Sequence, residues 1–498
     1  MKIKNAAGKE IEDTIGQQSF APYKGGRKHG RNSKIVKDIE TALKKCGLKS
    51  EMTISFHHQL RNGDYVVNNT LEAVNNLGCK DLRLAQTALF NVHEPAIDYI
   101  KDGVITRIEG SVNGVVGDFI STQNPLKEPV ILRSHGGRWA AVKSGELHPD
   151  VAIIAASGAD IRGNATGLLG ESAFGNISYS PVDAWHADKV IIVTDNIVDY
   201  PCQYREIYEG LVDYVVEVDH IGDPNKIVSG SLKITNDPMK LNIGMNCVDL
   251  MDAVGIVRND MIFQAGAGGI SLAALKYLGE RLKDKKMVAG CSTGGLTEFI
   301  VNMYNENLLK QVNTCQCFDT VAVDFLRNHL ESLSTIGEYS DHTMKGRNTD
   351  RLDTVILGAT EVDTRFNVNV NTHSDGKMLH GIGGHQDVSA TANLTIITVP
   401  VFRKSNPIVR DLVTTVSTPG DIIDAIVTDQ GIAINPKRRD LIEKVEGKIE
   451  LININDLQTI AYDETGGPQE PHRGNEIVGI TKYFDGTVLD NIFQVLED

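Results

Sequence analysis

One segment of this chain occurs twice, and this repetition limits the possible fold more than any other feature. "DVAIIAASGADIRGN" begins at residue 150 and "DTVILGATEVDTRFN" at residue 353. The residues that recur at one constant offset are Asp150, Ile153, Ala156, Asp160, Arg162 and Asn164 in the first copy, and Asp353, Ile356, Ala359, Asp363, Arg365 and Asn367 in the second. A second pair of similar stretches, "ADKVIIVT" and "ANLTIITV", follows in the same order. Two matches in one order predict two copies of one domain.

Short apolar runs between glycines and polar turns surround both copies. "PVILRSHGG", "VAIIAASG" and "KVIIVTDNIV" each hold an aliphatic run of roughly four to eight residues, which is typical of buried parallel strands. Helical patterns alternate with these runs and predict crossover connections. A chain of 498 residues also exceeds what one hydrophobic core usually serves. We therefore predict an α/β protein with mainly parallel sheets, divided into a polar N-terminal arm (1–40), a first domain (41–236) and a second domain (237–498).

The overall charge and the cysteines exclude several classes of function. A formal net charge of -15 argues against general nucleic-acid binding, which depends on lysine and arginine at the phosphates. Seven cysteines are spread thinly, and the close pair Cys315 and Cys317 has a single residue between them, so we expect reduced thiols and no metal site. No signal peptide is evident, and no apolar run approaches the roughly 20 residues that span a bilayer. We expect a cytoplasmic protein that binds neither nucleic acid nor membrane.

The N-terminal arm carries one basic stretch, "YKGGRKHGRNSK". It is either a solvated tail or a contact for an acidic partner or a phosphate. The residues themselves leave both interpretations open.

A glycine-rich turn in the second half is a candidate anion site. In "MIFQAGAGGISLAALKYL" a strand is expected to end at Gln264, and Gly266, Gly268 and Gly269 lead into a helix. Free amides and the positive end of the helix dipole would then face an anion. A dinucleotide fingerprint needs glycine where Ser271 stands, so we do not expect NAD or FAD. A tight turn required only for packing is the alternative.

A second turn of this form is "CSTGGLTEF". It contains Ser292, Thr293, Gly294 and Gly295. The two hydroxyl groups could hydrogen-bond to an oxyanion or cap the following helix. A third stretch, "SHGGRWAAV", is interpreted as a Gly-Gly turn in the first domain.

A cluster of potential cations follows an early strand in "SFHHQLRNGD". Adjacent residues of a strand point to opposite faces, so only one of His57 and His58 is expected to face a site easily. Arg61 could bind a carboxylate with two parallel hydrogen bonds. The cluster therefore suits a carboxylate-rich ligand, and a structural role for either histidine is the alternative.

The segment "GIGGHQD" has more glycine and histidine than a turn alone requires. Amides that side chains do not crowd can converge on one oxygen, which is the geometry that stabilises a tetrahedral acyl intermediate. We assign Gly381, Gly383 and Gly384 to this role and expect His385 to contact substrate. The segment is expected to lie at the entrance to the strand that follows.

Several motifs together resemble those of coenzyme A transferases. "GATEVD", "NVNVN" and "GIGGHQD" resemble second-half motifs of that superfamily, and "GGRWAAVKSGELHPDVAIIAASGADIRGNATG" resembles a first-half segment. More closely, "TISFHHQLRNGDYVVN", "FQAGAGGISLAALKYL" and "CSTGGLTEFIV" are similar to the alpha subunits of bacterial citrate lyase, which act as citrate CoA-transferases. The resemblance covers nearly the whole chain in order. It implies two tandem domains of the CoA-transferase-like (NagB/RpiA-type) fold.

The resemblance also implies substrates and partners. It implies citrate and acetate as small ligands, no permanently bound cofactor, and CoA or the phosphoribosyl-dephospho-CoA arm of an acyl carrier as the thiol substrate. It implies an oligomeric complex with a citryl-cleaving beta subunit and an acyl-carrier gamma subunit. The residues expected to hold the carrier arm are Gly266, Gly268, Gly269, Ser292, Thr293, Gly294 and Gly295. His57, His58 and Arg61 are expected to hold citrate.

One departure from the superfamily bears on mechanism. The better-known CoA transferases use a glutamate nucleophile after a strand, where this chain has "GCSTGG". Glu298 and Glu361 are the nearest carboxylates, and both also suit structural positions. We therefore favour direct transfer in a ternary complex over a covalent glutamyl thioester. A thioester hydrolase and a non-catalytic anion sensor remain alternatives, although no helix-turn-helix pattern supports the sensor.

Overall fold

The computed structural model describes residues 1–14, 16, 32–227, 235–266 and 268–497. Most of the first half, together with the C-terminal hairpin, forms one large sheet. In sheet order, its described strands are Val488–Val495, Arg473–Lys482, Val130–Leu132, Ile105–Val112, Leu82–Leu89, Thr53–Phe56, Val151–Ala156, Lys189–Thr194, Tyr214–Glu217 and Ile35–Val36. All neighbours in this part of the chain pair in parallel except the two strands of the hairpin.

The second half forms a smaller sheet of the same kind. In sheet order, its described strands are Leu309–Cys317, Ala289–Leu296, Ile262–Ala265, Thr354–Gly358, Leu394–Thr398, Ala425–Val427 and Ile432–Ile434. Only the last pair is antiparallel among these strands. Strands such as Val151–Ala156 and Leu394–Thr398 are almost fully buried, because helices cover both faces of a parallel sheet. The predicted α/β class with mainly parallel sheets is confirmed.

The internal repeat of the sequence forms equivalent structure in both halves. Asp150 Oδ2 accepts a hydrogen bond from Thr53 N–H, and Asp353 Oδ2 accepts one from Ile262 N–H in the other half. After each repeated strand comes a small side sheet, at Gly158–Asp160 and at Glu361–Asp363.

The repeated turn is also formed in the same way twice. Asp160 Oδ1 accepts a hydrogen bond from Asn164 N–H, and Asp363 Oδ1 accepts one from Asn367 N–H. Each asparagine side chain donates to the second oxygen of its aspartate. The same local chemistry therefore produces the same bend in both halves.

Helices connect the strands and cover the sheets. Within the described ranges they are Ile39–Cys46, Val66–Asn76, Ala96–Lys101, Gly114–Gln123, His135–Ser144, Ser180–His186, Pro224–Ile227, Pro238–Ala253, Gly269–Lys285, Glu298–Asn305, Thr320–Asn328, Ile336–Ser340, His385–Ser389, Arg439–Val445 and Ile454–Thr465. Their ends follow local chemistry: Asp38 accepts a hydrogen bond from Thr41 N–H to begin the first helix, and Gly47 ends it with φ +76°. No helix of the described ranges has the length and apolar composition to cross a membrane.

The sheets do not coincide with the expected domain boundaries. Ile35–Val36, inside the expected arm at 1–40, pairs with the first sheet. The hairpin at Arg473–Lys482 and Val488–Val495, inside the expected second domain, also belongs to that sheet. The last strands thus return from the second half to the first. The described residues omit 17–31, so most of the basic stretch of the arm lies outside them.

Candidate functional site

Two glycine motifs, one from each half, meet between the sheets. His135 N–H donates to Gly383 C=O at 2.9 Å, and Ser134 forms a parallel backbone bridge with Gly383. The stretch interpreted as a Gly-Gly turn is in fact the first turn of helix His135–Ser144. Ser134 caps this helix by accepting from Gly137 N–H at 3.0 Å, so the two glycines continue as helix.

A buried carboxylate joins the same two motifs. Asp387 Oδ1 accepts a hydrogen bond from Ser134 Oγ at 2.7 Å, and Asp387 Oδ2 accepts one from Gly136 N–H at 3.0 Å. Burial raises the pKa of Asp387 to about 6, and these two donors oppose that shift. A Cβ on Gly136 would lie 2.2 Å from the Ser340 carbonyl oxygen, so the close approach requires glycine.

The "GIGGHQD" segment ends in a short helix, His385–Ser389, and not directly in a strand as expected. Gly383 has φ +64°, a conformation that favours glycine. A Cβ on Gly384 would lie 3.2 Å from Tyr339 Oη and 3.7 Å from His135 Cδ2. Gly384 N–H donates to no residue in the described part of the chain. Gly384, an imidazole and a phenol therefore border one space.

Gly381 has a packing role in the same segment. A Cβ on Gly381 would lie 2.9 Å from Ser111 Cβ, which leaves no room for a side chain. The backbone of Gly383 is already engaged with Ser134. Of the three predicted oxyanion residues, Gly384 is the one that lies beside both Tyr339 and His135.

Two histidines and a tyrosine from the first half line this space. His58 and His135 stack with ring centroids 6.0 Å apart, and Tyr179 Oη lies 3.2 Å from His135 Nε2. Burial, assisted by the charge of Arg138, lowers the pKa of His135 to about 4. Burial and neighbouring cationic groups also lower the pKa of His58 well below its ordinary value. Both rings are therefore neutral near pH 7.

His58 and Arg61 reach toward the second half. His58 Nε2 lies 3.3 Å from Gln316 Nε2, and its Nδ1 lies 2.5 Å from Thr87 Oγ1. The Arg61 guanidinium lies 4.4 Å from the centroid of the Phe318 ring. His58 and Arg61, two of the three predicted citrate contacts, thus lie at the junction of the halves.

His57, in contrast, is held inside the first half. Its Nε2 lies 3.0 Å from Asp183 Oδ2, and Arg138 donates two hydrogen bonds of 2.9 Å to the same carboxylate. Burial lowers the pKa of His57, although Asp183 opposes that shift. As strand geometry predicts, one histidine of the pair packs and the other faces the crevice.

Gln264 connects the "CSTGG" strand to this crevice. Its Oε1 accepts from Tyr339 Oη at 2.8 Å and from Thr293 Oγ1 at 3.1 Å. Gly294 has φ +88°, and a Cβ there would lie 2.7 Å from Gln264 Cδ.

Ser292, Thr293, Gly294 and Gly295 all lie within the strand Ala289–Leu296, so the two hydroxyl groups do not cap the next helix. A Cβ on Gly295 would lie 1.9 Å from Phe318 Cε2, so glycine permits the contact of that ring with the strand. Ser292 is buried, with its Oγ unpaired within the described residues.

The first glycine turn borders a separate groove. Gly268 precedes helix Gly269–Lys285, and Gly266 N–H donates to Ile356 C=O at 2.9 Å, so the Gly266 amide is not available to a ligand. The groove also contains Gly358, whose carbonyl lies 3.0 Å from His385 Nε2. Its cationic lining residues are Lys240, Arg403 and Lys404. Gly358 thus lines the groove and also contacts His385, the residue that follows Gly384.

His385 and Glu361 have internal partners. His385 is buried, with its Nδ1 lying 3.1 Å from Thr418 Oγ1, and burial lowers its pKa to about 4. Glu361 is fully buried, and its oxygens pair with Arg410 and accept from Ser374, Thr414 and Asn369. These contacts favour structural roles for both residues and argue against Glu361 as a nucleophile.

Glu298, the other candidate nucleophile, is exposed at the first position of helix Glu298–Asn305. Its backbone N–H donates to Asp319 Oδ2 at 2.7 Å. This is an ordinary helix-start environment, in which an acidic side chain favours the positive end of the helix dipole.

Several functional candidates were not predicted from the sequence. They are His135, Tyr179, Gln264, Gln316 and Tyr339. His135 stands in the quoted "SHGG" stretch, where a histidine between a capping serine and two glycines was the available signal. The two tyrosines have no local pattern that separates them from core residues.

Comparison with known proteins identifies the family. The sequence model of the family "Citrate lyase, alpha subunit" matches residues 32–495. The citrate lyase alpha chain of Haemophilus influenzae is 40% identical over 470 residues, which is 93% of each chain. The solved alpha subunit of citrate lyase from Streptococcus mutans, in complex with citrate, has a TM-score of 0.92 and 39% identity, over 94% of this chain and 92% of that chain.

A more distant structure supports the fold assignment. The 4-hydroxybutyrate CoA-transferase of Porphyromonas gingivalis superposes with a TM-score of 0.54 at 16% identity, over 86% of this chain and 96% of that chain. The expected CoA-transferase-like fold and the expected family resemblance are both confirmed. The chain belongs to the alpha-subunit family of citrate lyase, the CoA-transferase component of that enzyme.

Proposed function

We propose that the chain converts an acetyl-carrier thioester and citrate into a citryl-carrier thioester and acetate. The observation that carries this proposal is the space beside the Gly383–Gly384 turn. There Gly384 lies beside the neutral His135 ring and the Tyr339 hydroxyl, between the two halves, and its N–H donates to no residue in the described part of the chain. Such a site stabilises the negative charge that develops on a carbonyl oxygen during acyl transfer.

The chemistry requires two acyl transfers. A citrate carboxylate attacks the acetyl thioester, and the resulting tetrahedral intermediate expels the carrier thiolate to leave a mixed anhydride. The thiolate then attacks the citryl carbonyl, and acetate leaves. One thioester replaces another, so this step needs no ATP. Alignment can lower the barrier by roughly 7–11 kcal/mol, and each amide donor at the oxyanion by about 3–4 kcal/mol.

Transfer within a ternary complex fits the carboxylates better than a covalent intermediate does. A nucleophilic glutamate needs a free oxygen beside the thioester. Glu361 has its oxygens engaged by Arg410 and neutral donors, and Glu298 is exposed at a helix start. We therefore propose that citrate attacks the thioester directly.

The carrier arm is proposed to lie in the groove at the Gly268–Gly269 turn. In the lining of this groove, the three cations Lys240, Arg403 and Lys404 outnumber the two carboxylates, Asp237 and Asp429. The start of a helix of 17 residues adds positive potential that favours phosphate groups. His385 and Gly358 link this groove to the oxyanion turn. The thioester end would then pass Thr293 and Gln264 to reach Gly384.

Citrate is proposed to occupy the opposite side, near Arg61 and His58. Arg61 supplies a permanent charge, and neutral His58 supplies a hydrogen bond. The relative from Streptococcus mutans was solved with citrate, which supports citrate as the small ligand. We propose that the chain forms an oligomeric cytoplasmic complex with a citryl-cleaving beta subunit and an acyl-carrier gamma subunit.

Mass spectrometry of the carrier tests the function directly. The purified chain, mixed with acetylated carrier and citrate, should convert the acetyl carrier into the citryl carrier and release acetate. Omitting citrate should leave the acetyl carrier intact. Equal acetate release without citrate would instead identify a thioester hydrolase.

A further inference from the structure

His135 comes from the first half of the chain, yet it contacts the turn of the second half. We propose that the oxyanion site is composite: Gly384 N–H supplies one hydrogen bond, the His135 imidazole supplies another, and Asp387 is the positioning residue that holds them together. This inference rests on the proposed function and adds to it a donor role for His135 and a positioning role for Asp387. Neither half of the chain contains the site alone.

The placement of the His135 ring supports its role. Its Cδ2 lies 3.7 Å from the position of a Cβ on Gly384, and its Nε2 lies 3.8 Å from the position of a Cβ on Gly383. The Cδ2–Nε2 edge of the ring therefore faces the turn. A carbonyl oxygen held by Gly384 N–H would lie beside this edge.

The electrostatic state of His135 fits a donor role. Its lowered pKa keeps the ring neutral near pH 7, so its N–H is a donor without a full charge. With the proton on Nε2, the resting ring donates to Tyr179 Oη at 3.2 Å. As charge grows on the carbonyl oxygen, that oxygen becomes the stronger acceptor and takes over the hydrogen bond.

Asp387 determines where this ring lies. It accepts hydrogen bonds from Ser134 and Gly136, the residues on both sides of His135, and it belongs to the helix that begins directly after Gly384. One carboxylate thus fixes the helix start that carries the imidazole and the turn that carries the amide. Its ionised form accepts both hydrogen bonds.

The groups around Asp387 set its protonation. Burial raises its pKa, the Ser134 and Gly136 donors oppose this, and the charge of Arg347 also opposes it. The titratable groups that respond to its charge are Tyr179, Tyr339, Tyr483 and Cys315, which stay protonated near pH 7 because burial raises the pKa of each. Protonation of Asp387 as the pH falls through about 6 should therefore loosen the composite site.

Asp387 is expected to serve function at the expense of stability. Its pKa in the folded protein is raised above the ordinary value of 3.8, so the folded state holds the proton more tightly than the unfolded state does. The ionised carboxylate consequently destabilises the fold above about pH 6. An asparagine at this position removes that charge and keeps one of the two hydrogen bonds, because its amide oxygen can accept from Gly136. Its NH₂ cannot accept from Ser134 Oγ as the carboxylate does, so the helix start that carries His135 is held less firmly.

Steady-state transfer with acetylated carrier and citrate tests the His135 role. His135→Phe keeps a flat ring without a donor and should lower kcat by about 10²–10³-fold, as other oxyanion-donor losses do. His135→Gln restores an N–H donor and should recover at least about tenfold of that loss, a difference near 1.4 kcal/mol in the barrier. A His135→Phe variant with the kcat of the wild type would overturn the inference.

Asp387→Asn tests the positioning role in the same assay. The variant should lower kcat by about tenfold or more, with citrate KM nearly unchanged. It should also remove the loss of activity that the wild type shows as the pH falls through about 6. Its Tm at pH 7.5 should be at or above the wild-type value. Citrate titrates in the same way in the assays of both proteins, so its ionisation does not contribute to the difference between their pH profiles. An unchanged pH profile, or a fall in Tm parallel to the fall in activity, would contradict the assignment.

A wild-type chain that forms no citryl carrier would refute the proposed function itself, whereas active wild type with fully active variants would refute only the composite site.

Discussion

His57 Nε2 lies 3.0 Å from Asp183 Oδ2, inside the first half of the chain. Arg138 holds the same carboxylate with two hydrogen bonds of 2.9 Å, and all three side chains are buried. Burial alone would raise the pKa of Asp183, but Arg138 and His57 outweigh it and lower the pKa. These contacts favour a structural role for His57, the histidine next to His58.

Asp183→Asn should be strongly destabilising. It leaves the buried Arg138 guanidinium without its counter-charge, which costs about 3–5 kcal/mol in comparable buried pairs. Thermal or urea unfolding measures this loss. Asp188→Asn is the matched control, because Asp188 pairs with His148 at the surface and should change stability by less than about 1 kcal/mol. Equal unfolding midpoints for both variants would contradict a structural role for the buried group.

Arg61→Ala should weaken citrate binding more than carrier binding. A hydrogen bond to a charged group contributes about 1.5–3 kcal/mol, so citrate KM should rise roughly 10-fold to 150-fold. The Phe318 ring, whose centroid lies 4.4 Å from the Arg61 guanidinium, helps to hold that group at the junction of the halves. Arg61→Lys keeps the charge without the planar fork and should give an intermediate KM. Equal losses for citrate and for the carrier would place Arg61 outside the citrate pocket.

The fold could be predicted because its signals are local. The turn at Asp160 and its copy at Asp363 each depend on an aspartate that binds amides up to four residues away, so a short sequence match is enough to find both. The return of Arg473–Lys482 to the first sheet depends on pairing with Val130–Leu132, more than 300 residues earlier. No local pattern specifies such a distant partner, which is why the expected second domain included this hairpin.

The candidate site can be predicted from sequence only where its residues form compact motifs. Gly384 and Thr293 can be proposed because glycine and hydroxyl residues gather in short stretches of sequence. Tyr339 and Gln264 became part of the site only when the second sheet brought them within 2.8 Å. His385 and Glu361 were assigned by proximity to those motifs, but the fold gives both of them internal partners.

Glu206 should make stability depend on pH in a specific direction. Burial raises its pKa from 4.5 to about 8, and the Ile177 and Gly167 amides oppose this shift. Between these values the folded state keeps a proton that the unfolded state has lost, so stability should fall by about 1.4 kcal/mol per pH unit as the pH rises. Glu206→Gln should remove this slope, whereas Glu171→Gln, at an exposed position, should retain it. Unfolding midpoints from pH 5 to 8 decide the matter.

Gly383→Val should abolish transfer without unfolding the protein. Valine resists φ +64°, and its side chain would enter the space that His135 borders. We expect a kcat loss of more than about 10²-fold, the size seen when an oxyanion donor is removed. Gly447→Val controls for backbone strain, because Gly447 has φ +72° and open space around it. Normal rates of acetyl-to-citryl exchange in Gly383→Val would remove this turn from the reaction.

Chemical trapping distinguishes direct transfer from a glutamyl intermediate. If Glu298 or Glu361 attacked the thioester, hydroxylamine or borohydride added during turnover would leave a modified glutamate. We expect peptide mass spectrometry to find both side chains unmodified, and we expect Glu298→Gln to transfer within about twofold of the wild-type rate, because an exposed surface carboxylate contributes little. A CoA transferase with a known glutamyl intermediate, trapped in parallel, confirms that the reagent works. An adduct at either position would replace the ternary mechanism with a covalent one, and the composite oxyanion site would then act on the glutamyl thioester.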